Sequence, residues 1–499
     1  MSAPRGPQGR TLASLLRAFG PEPPARPRDP EPAPERSETG PRVPRRGISR
    51  PGWGWSPVEA PLVVCRAATS EIGGLWPLLD SATLPPVGAR LGYDALSGAV
   101  FYCHPVEWVL GGITSNPNII VFGEPGRGKS SAVLALAVRL MPFGVRTVIA
   151  GDVKGEYSPV VRALGAEPIR VGAPGVRINP LDLGPLGARW SGLTARERAE
   201  EASATVGRWV RLLVALTEAA GHPATPTHEM VLSATLRRLA GVDGGADRMR
   251  SVTIPEVHHA LSHPDPELWR QARFPGEREF LDAMRGITDA LGTLIRGPLA
   301  GLFDGDTTVR LDWSAPIQSL DLERLASRGD QAIAFALTLL GSWVSTATDL
   351  RRDGEIRLVV RDEVWRQMRL GLRAVQTVDA DLRLSRRHQT IQVLAAHKPS
   401  DLLTVGAAGS TETAIAKDLL ALCATRVLFG QSTRVADELA DALALGEREH
   451  QAITGWATGR PGRALWKLGT RPGFKVTTVL TSPEKRLFDT NAQLRPRRR

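Results

Sequence analysis

Residues 119–141 read IIVFGEPGRGKSSAVLALAVRLM. A short strand signal, Asn118 to Phe122 with the wholly apolar run IIVF, leads into a glycine-rich loop, and helical spacing of apolar residues follows from Ser131 to Met141. Gly123 to Ser130 fit the phosphate-loop pattern G-x-x-x-x-G-K-[ST], for which the composition of this chain gives roughly 0.01 chance occurrences. Gly126 and Gly128 permit backbone angles that turn successive N–H groups inward, and the helix opening near Lys129 adds its N-terminal partial charge. The pattern predicts a phosphate-binding loop for a nucleotide, made of Gly123, Glu124, Pro125, Gly126, Arg127, Gly128, Lys129, Ser130 and Ser131. Lys129 would reach the β- and γ-phosphates, and Ser130 would ligate Mg²⁺.

Working outward, buried-strand signals appear at Ala60 to Val64, Ala99 to Tyr102, Val145 to Ala150 and Pro168 to Val171. They return at Ile317 to Leu320, Ile356 to Val360, Thr390 to Ala395, Thr425 to Phe429, Arg463 to Leu468 and Lys475 to Leu480. Helical stretches separate the earlier strands, which is the pattern of a parallel α/β sheet, while the last two read as an antiparallel edge hairpin. Residues 191–300 lack strand patterns and form a helical insertion. Thr194 and Glu197 make a capping box before a long amphipathic stretch ending at Ala220, and further helices begin near Thr227 and Arg278. The uncharged run Gln331 to Thr348 reads as a buried helix.

A phosphate loop alone does not select a reaction; the second acidic position does. Asp362 and Glu363 stand at the end of an apolar strand interrupted by Arg361. Their order suits an Mg²⁺-coordinating Asp followed by a water-activating Glu, and favours an ATPase over a small-molecule kinase. The neighbouring strand signal, Thr390 to Ala395, ends in Ala396-His397-Lys398, which places His397 as a γ-phosphate sensor. His258 and His259 have no acidic or Cys partner at ligand spacing and read as surface residues.

The formal net charge of +11 and the 39 prolines suggest a nucleic-acid binder. Counted by segment, residues 1–55 carry ten Arg against five acidic residues and 12 of the prolines, and residues 491–499 carry four Arg. The body between is near neutral, so the basicity belongs to two tails: a disordered Pro/Arg-rich one at 1–55 and a basic one at 491–499. Only seven of the 63 basic residues are Lys, so each Lys position is informative. Cys65, Cys103 and Cys423 have no metal-ligand or CxxC spacing and read as ordinary thiols of a reducing compartment. Neither a secretory signal nor a membrane span is expected, which predicts a cytoplasmic protein.

Further short motifs occur in order: DVKGEY at Asp152 to Tyr157, INPLD at Ile178 to Asp182, GLFDG at Gly301 to Gly305, DEVW at Asp362 to Trp365, SRRH at Ser385 to His388 and EKRLFDT at Glu484 to Thr490. With the phosphate loop, they resemble the conjugative type IV secretion ATPases, the VirB/TraC-like branch of the HerA and FtsK superfamily, over about residues 95–490. The resemblance implies a RecA-like P-loop ATPase core at 111–190 and 301–490, interrupted by the insertion and preceded by a small β-containing region at 56–110. It implies a homo-hexamer docked at the inner face of the cell membrane against membrane-embedded secretion or conjugation channel proteins, with DNA as a further candidate partner. Two departures stand out: the sensor position, often Gln in the family, is His397, and the family's large N-terminal domain is shortened. Ring ATPases complete the site with an arginine from the neighbouring subunit, for which Arg386, Arg387 and Arg426 are candidates, Arg387 foremost. Two other readings stay open: a DNA-pumping translocase of the coupling-protein kind, and a nucleotide-gated scaffold without catalysis.

Overall fold

The computed structural model describes residues 49–50, 84–243, 248–310, 312, 315–349, 354–403 and 411–489. The expected strand at Ala60 to Val64, nearly all of the 1–55 tail and the 491–499 tail lie outside the described residues. So do Cys65 and Thr490.

Eleven strands form one sheet among the described residues: β1 Ala89–Asp94, β2 Val100–Cys103, β3 Ile119–Phe122, β4 Arg146–Asp152, β5 Ile169–Arg170, β6 Ile317–Asp321, β7 Arg357–Arg361, β8 Thr390–Ala396, β9 Thr425–Phe429, β10 Arg463–Leu468 and β11 Phe474–Thr478. Their spatial order is β2-β1-β11-β10-β9-β3-β8-β7-β4-β6-β5. From β9 through β5 every pairing is parallel. From β9 through β2 every pairing is antiparallel. The β10–β11 pair is antiparallel as expected, but it is not an edge. β10 also pairs with β9 and β11 with β1, so β2 forms that border, and the strands of the 56–110 region continue the main sheet.

The parallel strands are apolar on both faces because both faces are covered. Ile119 and Val121 pack with the helix Lys129–Leu140, whereas Ile120 and Phe122 join the core built on the opposite face. The insertion helices Ala195–Ala219, Pro226–Leu239 and Glu277–Arg296 share one core with Val148, Ala150 and Val359 of the sheet, so the insertion is packed against the sheet rather than tethered to it. The Thr194–Glu197 capping box is formed. The uncharged run lies in the helix Asp330–Asp349, whose residues Ala332 to Leu337 are buried.

Arg361, which breaks the apolar pattern of β7, is buried with its charge matched. It donates to Asp381 at 2.5 Å and to Ser345 at 2.9 Å. Such a pair offsets the desolvation of a buried charge only with close geometry and further hydrogen bonds, and both are present.

A second buried pair fastens the phosphate-loop helix to the segment after β11. Arg139 grips both oxygens of Glu484 at 2.8 and 2.6 Å and also donates to the carbonyls of Arg90 and Val479. Burial alone would raise the Glu484 carboxyl, but hydrogen bonds from Arg139 and Thr481 outweigh it and hold it below the usual range. With the folded value below the unfolded one, this stabilisation is complete at neutral pH and lost as pH falls through the carboxylate range. Arg139→Met strands the Glu484 charge and should lower unfolding free energy by about 3–5 kcal/mol at pH 7, as measured in urea. The penalty should shrink at pH 4, where Glu484 can be neutral in the variant. A penalty unchanged by acidification would contradict this assignment.

Candidate nucleotide site

Strands β3, β8, β7 and β4 lie side by side, parallel and in register, so their C-terminal ends open on one cleft. Ligands of open parallel sheets bind at such ends. The cleft measures about 390 Å³. Its floor comes from the loop after β3, the turn after β4, Asp362 and Glu363 after β7, and His397 after β8. A smaller cavity of about 270 Å³ adjoins it, sharing Gly128, Ser131, Pro461 and Lys485.

The loop has the left-handed glycines its pattern requires, with φ 75° at Gly126 and 97° at Gly128. Its outer side is tied to the antiparallel half of the molecule. Glu124 accepts from the Ser432 amide at 3.0 Å, and Arg127 donates to the Thr458 carbonyl at 2.9 Å and pairs with Glu124 at 3.2 Å. The Arg127 side chain is therefore occupied outside the cleft, whereas Lys129, Ser130 and Ser131 line it.

Lys129 Nζ donates to the Gly123 carbonyl and, at 3.0 Å, meets His397 Nδ1. An ammonium only donates, so Nδ1 accepts and the ring proton sits on Nε2. Nε2 in turn reaches Glu363 Oε1 at 3.2 Å. Lys129, His397 and Glu363 thus form one hydrogen-bonded line across β3, β8 and β7. The His397 carbonyl is held by Gln431 Nε2 at 3.1 Å.

Glu363 is 4% exposed and adopts a left-handed φ of 53°, uncommon for a residue with a Cβ. Oε1 also accepts from Lys154 at 2.7 Å, and Oε2 from Trp365 Nε1 at 2.5 Å. Burial would raise its pKa, but the hydrogen bonds from His397 and Lys154 and the Lys154 charge hold it below the carboxylate range. Asp362 moves the other way, to about 6, through burial and then the Glu363 charge, against the pull of Lys154. Its Oδ2 accepts from the Tyr157 hydroxyl at 3.2 Å. Burial lowers the Lys129 pKa, opposed by Asp362 and Glu363.

Ser130 and Asp362, one hydroxyl and one carboxylate, suit Mg²⁺, which keeps several waters and takes further oxygens from substrate phosphates. Among the described residues no group of three or more His, Cys, Asp or Glu could hold a metal without such help.

The arginine candidates lie elsewhere in this chain. Arg386 and Arg387 are exposed just before β8 begins, at the strand end opposite the cleft. Arg387 lines a separate groove of about 960 Å³ with Arg208, Arg211 and Arg373. Arg426 sits within β9, paired across the sheet with Ile120 and Lys467. Lys154, Glu156, Lys485 and Phe488, to which the sequence motifs give no role, also line the cleft. The scarcity of lysine was the available signal, since Lys129, Lys154 and Lys485 are three of only seven.

The fold is that of a RecA-like P-loop ATPase. The structure is similar to VirB4 of Thermoanaerobacter pseudethanolicus, with a TM-score of 0.61 at 20% identity, covering 81% of this chain and 99% of that one. It is also similar to the bacterial conjugative coupling protein TrwB, solved among other forms in complex with ADP and Mg²⁺, with a TM-score of 0.49 at 16% identity over 82% of this chain and 92% of that one. No protein-family model and no curated protein matches the chain.

The loop geometry makes a comparative prediction. A methyl group at Gly126 meets open space, so Gly126→Ala should cost only the left-handed backbone penalty of about 1–2 kcal/mol. At Gly128 the added carbon would also lie 3.0 Å from the Gly462 amide nitrogen, which donates to the Arg127 carbonyl. Gly128→Ala should therefore lower the thermal midpoint further than Gly126→Ala; equal midpoints would contradict the described packing.

Proposed function

We propose that the chain is an ATP-hydrolysing motor that powers conjugative DNA transfer or the assembly of a type IV secretion-like channel. The observation that carries the reading is the line Lys129–His397–Glu363 across three adjacent parallel strands, beside Asp362 and Ser130. The same elements could serve a bound scaffold. A buried carboxylate after the Asp, within reach of a sensor side chain, is what hydrolysis needs and binding alone does not.

In this reading the inward N–H groups of Gly126 to Lys129 and the Lys129 ammonium hold the β- and γ-phosphates. Ser130 and Asp362 would hold Mg²⁺, which when bound would supply neutralising charge at the phosphates. Glu363 orients the attacking water and accepts its proton, and His397 contacts the γ-phosphate side of the cleft. Arg387, lying outside the cleft of its own chain, would complete the site of the next subunit in a homo-hexamer. Among the described residues no helix is long and apolar enough to cross a membrane. Attachment to the inner face of the membrane through channel proteins belongs to this reading, and DNA through the ring is the alternative cargo.

Lys129→Ala should abolish ATP binding. Glu363→Gln should bind ATP but lose at least about 10²-fold in turnover, the scale of a lost general base. Isothermal titration and phosphate release measure the two separately, and unchanged turnover in Glu363→Gln would sink the mechanism.

A further inference from the structure

Of the cleft residues still without a role, Lys154 is the one bonded to Glu363. It stands on the tight turn after β4, where Asp152 accepts the amides of Glu156 at 2.9 Å and Tyr157 at 3.0 Å and Gly155 takes a left-handed φ of 69°. From this braced turn its ammonium reaches Glu363 Oε1 at 2.7 Å, yet the Lys154 side chain is 49% exposed while that of Glu363 is 5% exposed. One partner of the pair is fixed and the other is free to leave.

We infer that Lys154 is a phosphate-sensing latch: without nucleotide it pairs with Glu363, and the γ-phosphate draws it away to free that carboxylate for the attacking water. This rests on the ATPase reading above. Glu363 has three donors on its two oxygens, out of about four lone-pair sites, and its charge is paired. In that state it is a poor proton acceptor. Trp365 is sequence-local to Glu363 and His397 is held through its carbonyl, so Lys154 is the donor with freedom to move. A triphosphate brings several negative charges into the cleft that Lys154 lines, and it outcompetes a single carboxylate for an ammonium. ADP lacks the terminal group, so the latch distinguishes substrate from product. Lysine suits the task because its compact charge rides on a flexible stem, and this chain otherwise uses Arg almost throughout.

The test is binding of ADP and of a non-hydrolysable ATP analogue to the full chain and to Lys154→Gln, Glu363→Gln and the double variant. Lys154→Gln should weaken the ATP analogue about tenfold, the worth of one charged hydrogen bond, and leave ADP unchanged. Glu363→Gln, which releases Lys154 in advance, should tighten the ATP analogue, and the tightening should vanish in the double variant. If Lys154 is a fixed strut, both nucleotides weaken together or neither does, and the proposal fails. Tightening that persists in the double variant would trace to lost charge repulsion and also overturns it. Loss of fold is detected by the thermal midpoint without nucleotide, which should be unchanged in Lys154→Gln because that side chain is half exposed. Failure of the wild-type chain to bind either nucleotide would instead overturn the ATPase reading beneath it.

Discussion

The parallel register of β3, β8 and β7 is the constraint on which the site depends. Phe122 is paired with Ala396 and Arg361 with Leu394, so the residues that follow each strand emerge at nearly the same level of the sheet. Gly123, His397 and Asp362 are placed by strand pairing before any side chain chooses a rotamer. A one-residue slip would reverse the faces of a strand and scatter them, and with both faces buried such a slip is strongly disfavoured. Arg361 reinforces the register at the end of β7, because its buried charge is satisfied only where Asp381 and Ser345 stand.

Within that frame the cleft brings lysines and carboxylates into one another's reach. Lys129 and Lys154 line a pocket with Asp362, half-buried, and Glu363, buried, and desolvation pushes the Lys129 and Asp362 pKa values toward each other. Low local dielectric strengthens each of these interactions and makes any unpaired member expensive. Glu363 is held by Lys154 and His397, and Lys129 by His397 and the Gly123 carbonyl. A phosphate and its cation would not find an empty site; they would replace these internal partners, which is why occupancy can change what Glu363 is able to do.

Much of this was legible in the sequence. The strand before the phosphate loop, the helix after it, the insertion helices and the Asp-Glu strand end all carry local signals of periodicity, capping and turn chemistry. The edge-hairpin reading of β10 and β11 fails for a physical reason: β1, the outer partner of β11, comes about 380 residues earlier in the chain, and pairing of that range leaves no local trace. The contact between Lys154 and Glu363 is hidden in the same way, spanning 209 residues. Composition pointed to Lys154 without saying what it touches. The charge of the tails misleads in the opposite direction, since a net +11 invites a nucleic-acid reading that the near-neutral body, where the cleft lies, does not support.

The most direct test of the central claim is steady-state release of inorganic phosphate by the purified full-length chain supplied with Mg²⁺ and ATP. The account predicts turnover that saturates with ATP and stops when Mg²⁺ is chelated. Tight ATP binding with no phosphate release under the same conditions would contradict it and leave a nucleotide-gated scaffold.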